Sequence, residues 1–529
     1  MEVAVGARLE TVVPRRTVRG GDVIRLLVLV GLAVVVHVWL IAHTIVPARD
    51  TIGFARQAVG LGRPATFLDT VRNPENKQHP GYPLTVIAAF AVVREVYDAS
   101  RPEQMLRSAQ VASSVAGILL VMPMYLLGRM LFGRFAGFAG AALFQVLPVP
   151  AHLTADGLTE ALYLLCAVSA VGCGVVGLRK QSTAFLLAAG LCTGLAYLVR
   201  PEGLLLAFGV FLTAGLLVVR RTWPARLAVA RLTAFTVGVA LAAAPYMALI
   251  GGFTTKPGAN EILEKIKGNP RQQLYQGQVS RLGGETALFA TWFTGNDGTK
   301  EIWSGKAVAQ EVTKGFYYVP AFLAAVGLFL FRRRAVADPG LGLVLALMGL
   351  NIGVLFLLAY NNGYVSERHT MLIVALGTVV AAGTLEPIGR LWAWVPGAEK
   401  FAGLPAAGVG LIVLVAAALP ATFRPLHDNR AGHFYAGRYL GSVVTDADAV
   451  FDPFCWAEYY AGRTYDHIPP DPPGAKVSYA ILETGPSPHS RLPRLEHAKI
   501  IAAAGKVVYY WPENGTVEQA KVLVYKTVR

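Results

Sequence analysis

The sequence predicts a polytopic α-helical membrane protein of about eleven transmembrane helices, followed by a small C-terminal α/β soluble domain. Three observations predict it. Of 529 residues, 54% are hydrophobic and only 15% charged, whereas soluble domains carry about 25% charged residues. Apolar windows close to the roughly 20 residues that a spanning helix needs recur between residues 26 and 421. Beyond residue 421 they give way to short β-rich runs.

The elements follow in order. Residues 1–25 form a cytoplasmic N-terminal segment. The first apolar window, 26–46, is longer than the 7–15-residue core of a secretion signal, so it reads as an uncleaved first helix. The remaining windows are 108–128, 135–151, 158–178, 183–199, 203–219, 232–250, 316–331, 340–359, 370–386 and 404–421. "YPLTVIAAFAVVREVY" from Tyr82 is apolar but short, and reads as an interfacial or re-entrant helix. Two long outer loops, 47–107 and 251–315, interrupt this 26–421 body. Residues 422–529 alternate short strands such as "KVSYAILE" and "KVLVYK" with helical stretches such as "RLEHAKIIAAAG", the pattern of an α/β domain. The sequon at Asn514 would matter only in a eukaryotic lumen.

Charge orients the chain. With the N-terminus cytoplasmic, the inner segments hold 18 Lys and Arg against 6 Asp and Glu. The outer segments hold 18 against 16, and the tail 12 against 11. The net +15 is therefore a positive-inside topology signal and not the footprint of a nucleic-acid binder. An odd number of spans places Asp50 and the C-terminal domain outside. The reading is a multi-pass protein of the inner (plasma) membrane of a bacterium. The four cysteines form neither a disulfide framework nor a zinc spacing.

Polar residues gather on the outer side, where charge is cheaper than in hydrocarbon. The first outer loop supplies Asp50 and, in "NKQHPGYP", Lys77, His79 and Tyr82. "AHLTADGLTEALYLL" supplies Asp156 and Glu160, whose spacing of four places them on one helix face. "YLVRPEGLLL" supplies Arg200 and Glu202, and "YVSERHTM" supplies Arg368 and His369 at a helix start. Each alone has a plain explanation. Asp50 and Asp156 fit helix caps, Arg200 and Glu202 a boundary ion pair, and Arg368 a snorkelling anchor. Their shared side is what points to chemistry. A lipid-phosphate sugar donor presents its phosphate and sugar at that surface. An arginine there binds phosphate bidentately and stabilises the charge of the departing group. A carboxylate across the anomeric carbon takes the proton of an acceptor hydroxyl. One base and a good leaving group favour single displacement with inversion.

Together, Asp50 after the first helix, "HPGYP", "GLAYLVRPEG" and "YVSERHTM" resemble the C-type (GT-C) membrane glycosyltransferase superfamily. The nearest form is the family of protein O-mannosyltransferases and lipid A aminoarabinose transferases. The resemblance spans about residues 26–421. It implies Asp50 as the main catalytic carboxylate, Asp156 or else Glu160 as the second acid, and Arg368, His79 and Lys77 on the donor phosphate. Glu160, Arg200, Glu202, Tyr82 and His369 are further substrate-binding candidates. Thr51 stands where many mannosyltransferases carry a second acid. That departure bears on the sugar, on a protein acceptor and on metal use. The sequence names no cofactor, and a divalent metal is left open. The implied partners are a polyprenyl-phosphate sugar donor, an acceptor that is a protein, glycan or lipid, and the bilayer. Other readings are a transporter, flippase, polymerase or ligase of lipid-linked sugars, or a non-catalytic scaffold. Lys265, Lys267 and Arg271 suit either a mobile loop over the donor or a solvated helix.

Overall fold

The computed structural model describes residues 20–73, 78–256, 291–293, 298–395, 402–468, 474–484 and 494–528, with Gly397, Lys400 and Pro472. Lys77, Lys265, Lys267 and Arg271 lie outside the described residues.

The eleven apolar windows fall on helical structure, with 135–151 divided between two helices. Among the described residues, eight helices are long and apolar enough to cross a membrane alone, and two bent pairs raise the number to ten. The helix Thr183–Val199 has 17 residues and is shorter than a full span. Helix α1 is Gly20–His43, α2 Arg49–Leu61, α3 Phe67–Arg72 and α4 Gly81–Val96. Helix α5 is Arg101–Phe132, α6 Arg134–Val146, α7 Pro148–Ala155, α8 Glu160–Lys180 and α9 Thr183–Val199. Then come α10 (Leu205–Val219), α11 (Ala225–Ile250), α12 (Lys300–Gly315), α13 (Val319–Ala337), α14 (Pro339–Asn362), α15 (Met371–Arg390) and α16 (Leu404–Thr422). The short apolar stretch from Tyr82 is α4, a helix of 16 residues.

Proline sets the bend between α6 and α7. Leu147, just before Pro148, adopts an extended ψ of 133°, and α6 and α7 meet there at 67°. A proline disfavours helical geometry in the residue preceding it, so α6 cannot run on. Small residues set the closest packing. Gly190 of α9 faces Gly238 of α11 and Gly194 faces Val239 and Ala242, and a Cβ at Gly190 would lie 2.0 Å from the carbonyl oxygen of Phe235. This is the small-xxx-small contact of membrane helices, which lets backbones touch.

Helix α15 is the axis of the body. All side chains from Met371 to Leu385 are buried, as expected of a helix that is apolar all round. Helices α1 and α16 are peripheral and present Leu27, Val35, Val38, Ile412 and Val413 outward. The two ends of the bundle differ. At one, Arg129 and Arg134 converge on buried Asp22, and Arg179 pairs with Asp338. At the other lie the acids and arginines of the outer loops.

The C-terminal segment starts with α17 (Ala431–Val443) and carries α18 (Trp456–Tyr460) and α19 (Leu495–Ala503). Two short strands, β1 (Thr291–Trp292) and β2 (Tyr364–Val365), pair antiparallel beside the membrane body. The sheet of the tail contains β3 (Ala449–Phe451), β4 (Val477–Glu483), β5 (Lys506–Trp511) and β6 (Val522–Val528) in the order β3-β4-β6-β5. Its first pair is parallel and the others antiparallel. The domain docks on the chain that follows α1. Trp456 Nε1 donates to Pro47 O at 3.1 Å, Tyr460 Oη to Ile45 O at 3.3 Å, and Arg49 Nη2 to Pro453 O at 3.3 Å.

Candidate active site

Four helix starts or turns converge at the outer-loop end of the bundle. Asp50 is the second residue of α2. Glu160 opens α8 and is fully buried. Arg200 follows α9, where Pro201 starts a 3-10 turn that carries Glu202. Arg368 lies in the 3-10 turn Glu367–Thr370, which leads into the buried α15. Because that axis is packed along its whole first half, the position of Arg368 is fixed by the core.

The side chains form a row of alternating charge. Arg368 donates from Nη1 to Asp50 Oδ2 at 2.5 Å and from Nε to Glu160 Oε1 at 2.8 Å. The same Glu160 oxygen accepts from Arg200 Nη1 at 3.1 Å. Arg200 lies 3.7 Å from Glu202, and Glu202 lies 3.6 Å from Lys256. Three carboxylates thus balance three cations, with Glu160 fully buried and the Glu202–Lys256 end of the row open to solvent. A buried carboxylate such as Glu160 is tolerated only with such partners.

Asp156 is separate from this row. The sequence reading put Asp156 and Glu160 on one helix face, but α7 ends at Ala155 and α8 begins at Glu160. Gly157 between them has φ +72°, a left-handed conformation that breaks the helix. Its close approach to α2 leaves no room for a side chain, since a Cβ would meet Thr51 Cγ2 at 2.8 Å. Asp156 Oδ1 accepts the Ala48 N–H at 2.9 Å, and Oδ2 accepts from His427 Nε2 at 2.7 Å. Its carbonyl oxygen accepts from Thr51 Oγ1 at 3.0 Å.

A pocket opens over both groups. Asp50, His152, Asp156, Arg368 and His427 are among its polar lining residues, interleaved with the apolar Val149, Leu153 and Leu426. An apolar lining beside a cation suits a lipid phosphate.

The other candidates lie elsewhere. His79 is buried, donates from Nδ1 to Tyr197 O at 2.7 Å, and has Nε2 2.7 Å from Thr254 Oγ1. Burial pushes its pKa down to about 4. Tyr82 is fully buried, and its hydroxyl donates to Ala109 O at 2.8 Å. His369 Nδ1 accepts from the Ser366 hydroxyl at 3.0 Å, beside Arg368. None of these three lines the pocket. His427 does, and the sequence reading left it in the tail. The available signal was its place in "PLHDNR", a few residues past the last span on the side of Asp50. Among the described residues, no group of three or more His, Cys, Asp or Glu is placed to hold a metal ion.

The body is thus a set of apolar helices around a buried axial helix, with acids and arginines gathered at one end. The sequence model described as dolichyl-phosphate-mannose-protein mannosyltransferase matches residues 103–247. No curated protein matches the chain. Among solved structures, ArnT from Cupriavidus metallidurans bound to undecaprenyl phosphate aligns with TM-score 0.58 and 12% identity, covering 95% of this chain and 98% of that one. The archaeal oligosaccharyltransferase AglB from Archaeoglobus fulgidus, in complex with an inhibitory peptide and a dolichol-phosphate, aligns with TM-score 0.54 and 14% identity. That alignment covers 86% of this chain, which spans 61% of the archaeal one. Residues 103–247 are thus similar to that mannosyltransferase family, and the chain shares its fold with these two transferase structures.

Proposed function

We propose that the protein transfers a monosaccharide from a polyprenyl-phosphate donor to a hydroxyl acceptor at the extracytoplasmic face of the membrane, with inversion. The observation that carries this reading is the Asp50–Arg368 contact at the edge of the pocket. A proton acceptor and a phosphate-binding cation lie side by side there. Two of the structural relatives are described with dolichol-phosphate and with undecaprenyl phosphate, which supports a lipid-phosphate donor.

In this reading the donor phosphate takes the place of the Asp50 carboxylate on the Arg368 guanidinium. That exchange frees Asp50 to accept a proton. The acceptor oxygen forms a bond to the anomeric carbon from the face opposite the phosphate. The carbon–oxygen bond to phosphate breaks, and the polyprenyl phosphate leaves as an anion held by Arg368. The hydroxyl proton ends on Asp50. Glu160 keeps Arg368 oriented through Nε while Nη1 changes partner. Asp156 holds the start of α2, and so acts on Asp50 from behind. The N-terminus and the arginine-rich end of the bundle lie in the cytoplasm, consistent with the charge of the inner loops.

Turnover by the purified full chain in lipid nanodiscs tests the proposal. Radiolabelled polyprenyl-monophosphate sugars are offered with candidate protein, glycan and lipid acceptors. Release of polyprenyl phosphate that requires Asp50 and Arg368 supports it and names the sugar. Binding without release, indifferent to Asp50→Asn, favours a carrier of lipid-linked sugars instead.

A further inference from the structure

We propose that His427 and Arg430, both from the C-terminal segment, are positioning residues for Asp50, acting through Asp156 on the first turn of α2. The proposal rests on the reading of Asp50 as the proton acceptor.

The start of α2 lacks a cap of its own. Its N-cap residue is Ala48, which has no side-chain oxygen to offer. The Ala48 N–H itself donates to Asp156 Oδ1, the bond a third-residue side chain makes in a capping box, here from a turn 108 residues further along the chain. Asp156 is therefore the anchor of the turn that carries Asp50, and what anchors Asp156 matters in turn. Its second oxygen accepts from His427 Nε2 at 2.7 Å. His427 sits at φ +51°, a left-handed conformation that a histidine adopts at a steric cost and that its surroundings must impose.

The tautomer follows from the next contact. Arg430 Nη1 lies 3.4 Å from His427 Nδ1. A guanidinium can only donate, so Nδ1 accepts and the ring proton is on Nε2, directed at Asp156. Both nitrogens are then occupied. Although His427 lines the pocket, it has no free nitrogen to take a proton from an acceptor, so its role is to hold Asp156.

Arg430 connects this line to the domain. It is 2% exposed, and its guanidinium lies 5.2 Å over the ring of Trp456. Trp456 donates to Pro47 O, in the same short segment between α1 and α2. His433 packs with its ring tilted 5.2 Å from that of Trp456 and meets Glu483, at the end of β4, at 2.9 Å. Two arms thus run from the C-terminal domain to residues 47 and 48, one through Trp456 and one through His427 and Asp156. The sheet domain holds the catalytic turn in register with the membrane body.

The test uses the full chain in nanodiscs with two readouts, hydrogen exchange of the amides at 48–51 and donor turnover. His427→Ala should speed exchange at 48–51 at least tenfold and lower kcat at least tenfold, with the donor KM within twofold. His427→Gln, whose side-chain amide can still donate to Asp156, should restore both. Asp156→Asn, which turns an accepting oxygen into a donor facing His427, should reproduce the faster exchange, so the tie is judged even if His427→Ala fails to insert. Unchanged exchange in both His427→Ala and Asp156→Asn overturns the proposal. So does a His427→Gln protein with protected amides but the low kcat of His427→Ala, since that marks His427 as a proton-transfer group. If no protein, wild type included, turns over any donor, the transferase reading fails while exchange still decides whether His427 holds α2.

Discussion

The Arg368 guanidinium lies 2.5 Å from the Asp50 carboxylate, a contact between residues 318 positions apart in sequence. The group proposed to bind phosphate and the group proposed to take the proton therefore satisfy each other before any donor arrives. Each must give up the other to work. The cost of separating them is offset only when an anion replaces the carboxylate on Arg368.

Asp50→Asn follows directly. The amide keeps the shape but no longer binds a proton at neutral pH, and turnover should fall by about 10²–10⁴-fold, the usual weight of a general base. Affinity for polyprenyl phosphate should stay the same or rise, because the competing negative charge on Arg368 is gone. A binding isotherm on the variant checks this. Weaker binding would mean that Asp50 itself contacts the donor.

Arg368→Lys should fail for a geometric reason. The arginine reaches Asp50 with Nη1 and Glu160 with Nε at the same time. An ammonium is a single point of charge without that fork. We expect donor affinity to fall about tenfold, or roughly 1.4 kcal/mol, with kcat also reduced. A lysine enzyme with wild-type kinetics would show that charge alone suffices.

Glu160→Gln concerns stability more than chemistry. Glu160 is fully buried and its Oε1 accepts from both Arg368 and Arg200. Neutralising it leaves two guanidiniums facing an amide. Removing one partner of a buried ion pair costs about 3–5 kcal/mol. The unfolding midpoint in detergent should drop by several degrees, and Glu160→Ala should drop it by a similar amount. A glutamine protein as stable as wild type would mean that the charge is not what holds this corner.

The side on which these residues meet was readable from the chain, because the charge bias of the loops puts Asp50, Glu160, Arg200, Glu202 and Arg368 on one face. Their pairing was not. Nothing local tells Arg368 to choose Asp50 and Glu160, since that choice is made by the packing of α15 against α8. The error at Asp156 has a local cause. A spacing of four was read as one helix, while Gly157 at φ +72° ends it. Helix limits also ran past the apolar windows: α1 begins at Gly20 and α5 at Arg101, because polar first turns are invisible to hydropathy. His427 was missed because its function depends on docking of the C-terminal domain, a contact between distant segments that periodicity does not encode.

His79 gives the last prediction. Its ring links the loop before α4 to Tyr197 of α9 and to Thr254, and Thr254 Oγ1 in turn accepts the Lys256 N–H at 3.0 Å. Burial holds its pKa at about 4, against an ordinary 6.5. The unfolded chain therefore takes up the proton first as pH falls. Between pH 6.5 and 4 the unfolded state binds more protons, so stability declines as pH drops through this window and levels off below about 4. The full loss from this one group is of the order of 3 kcal/mol. His79→Asn keeps a donor for Tyr197 O in place of Nδ1 but cannot titrate. Unfolding midpoints measured for both proteins from pH 7.5 to 4 should converge as the pH falls, the wild type losing more. Parallel profiles would mean that His79 does not carry this pH dependence.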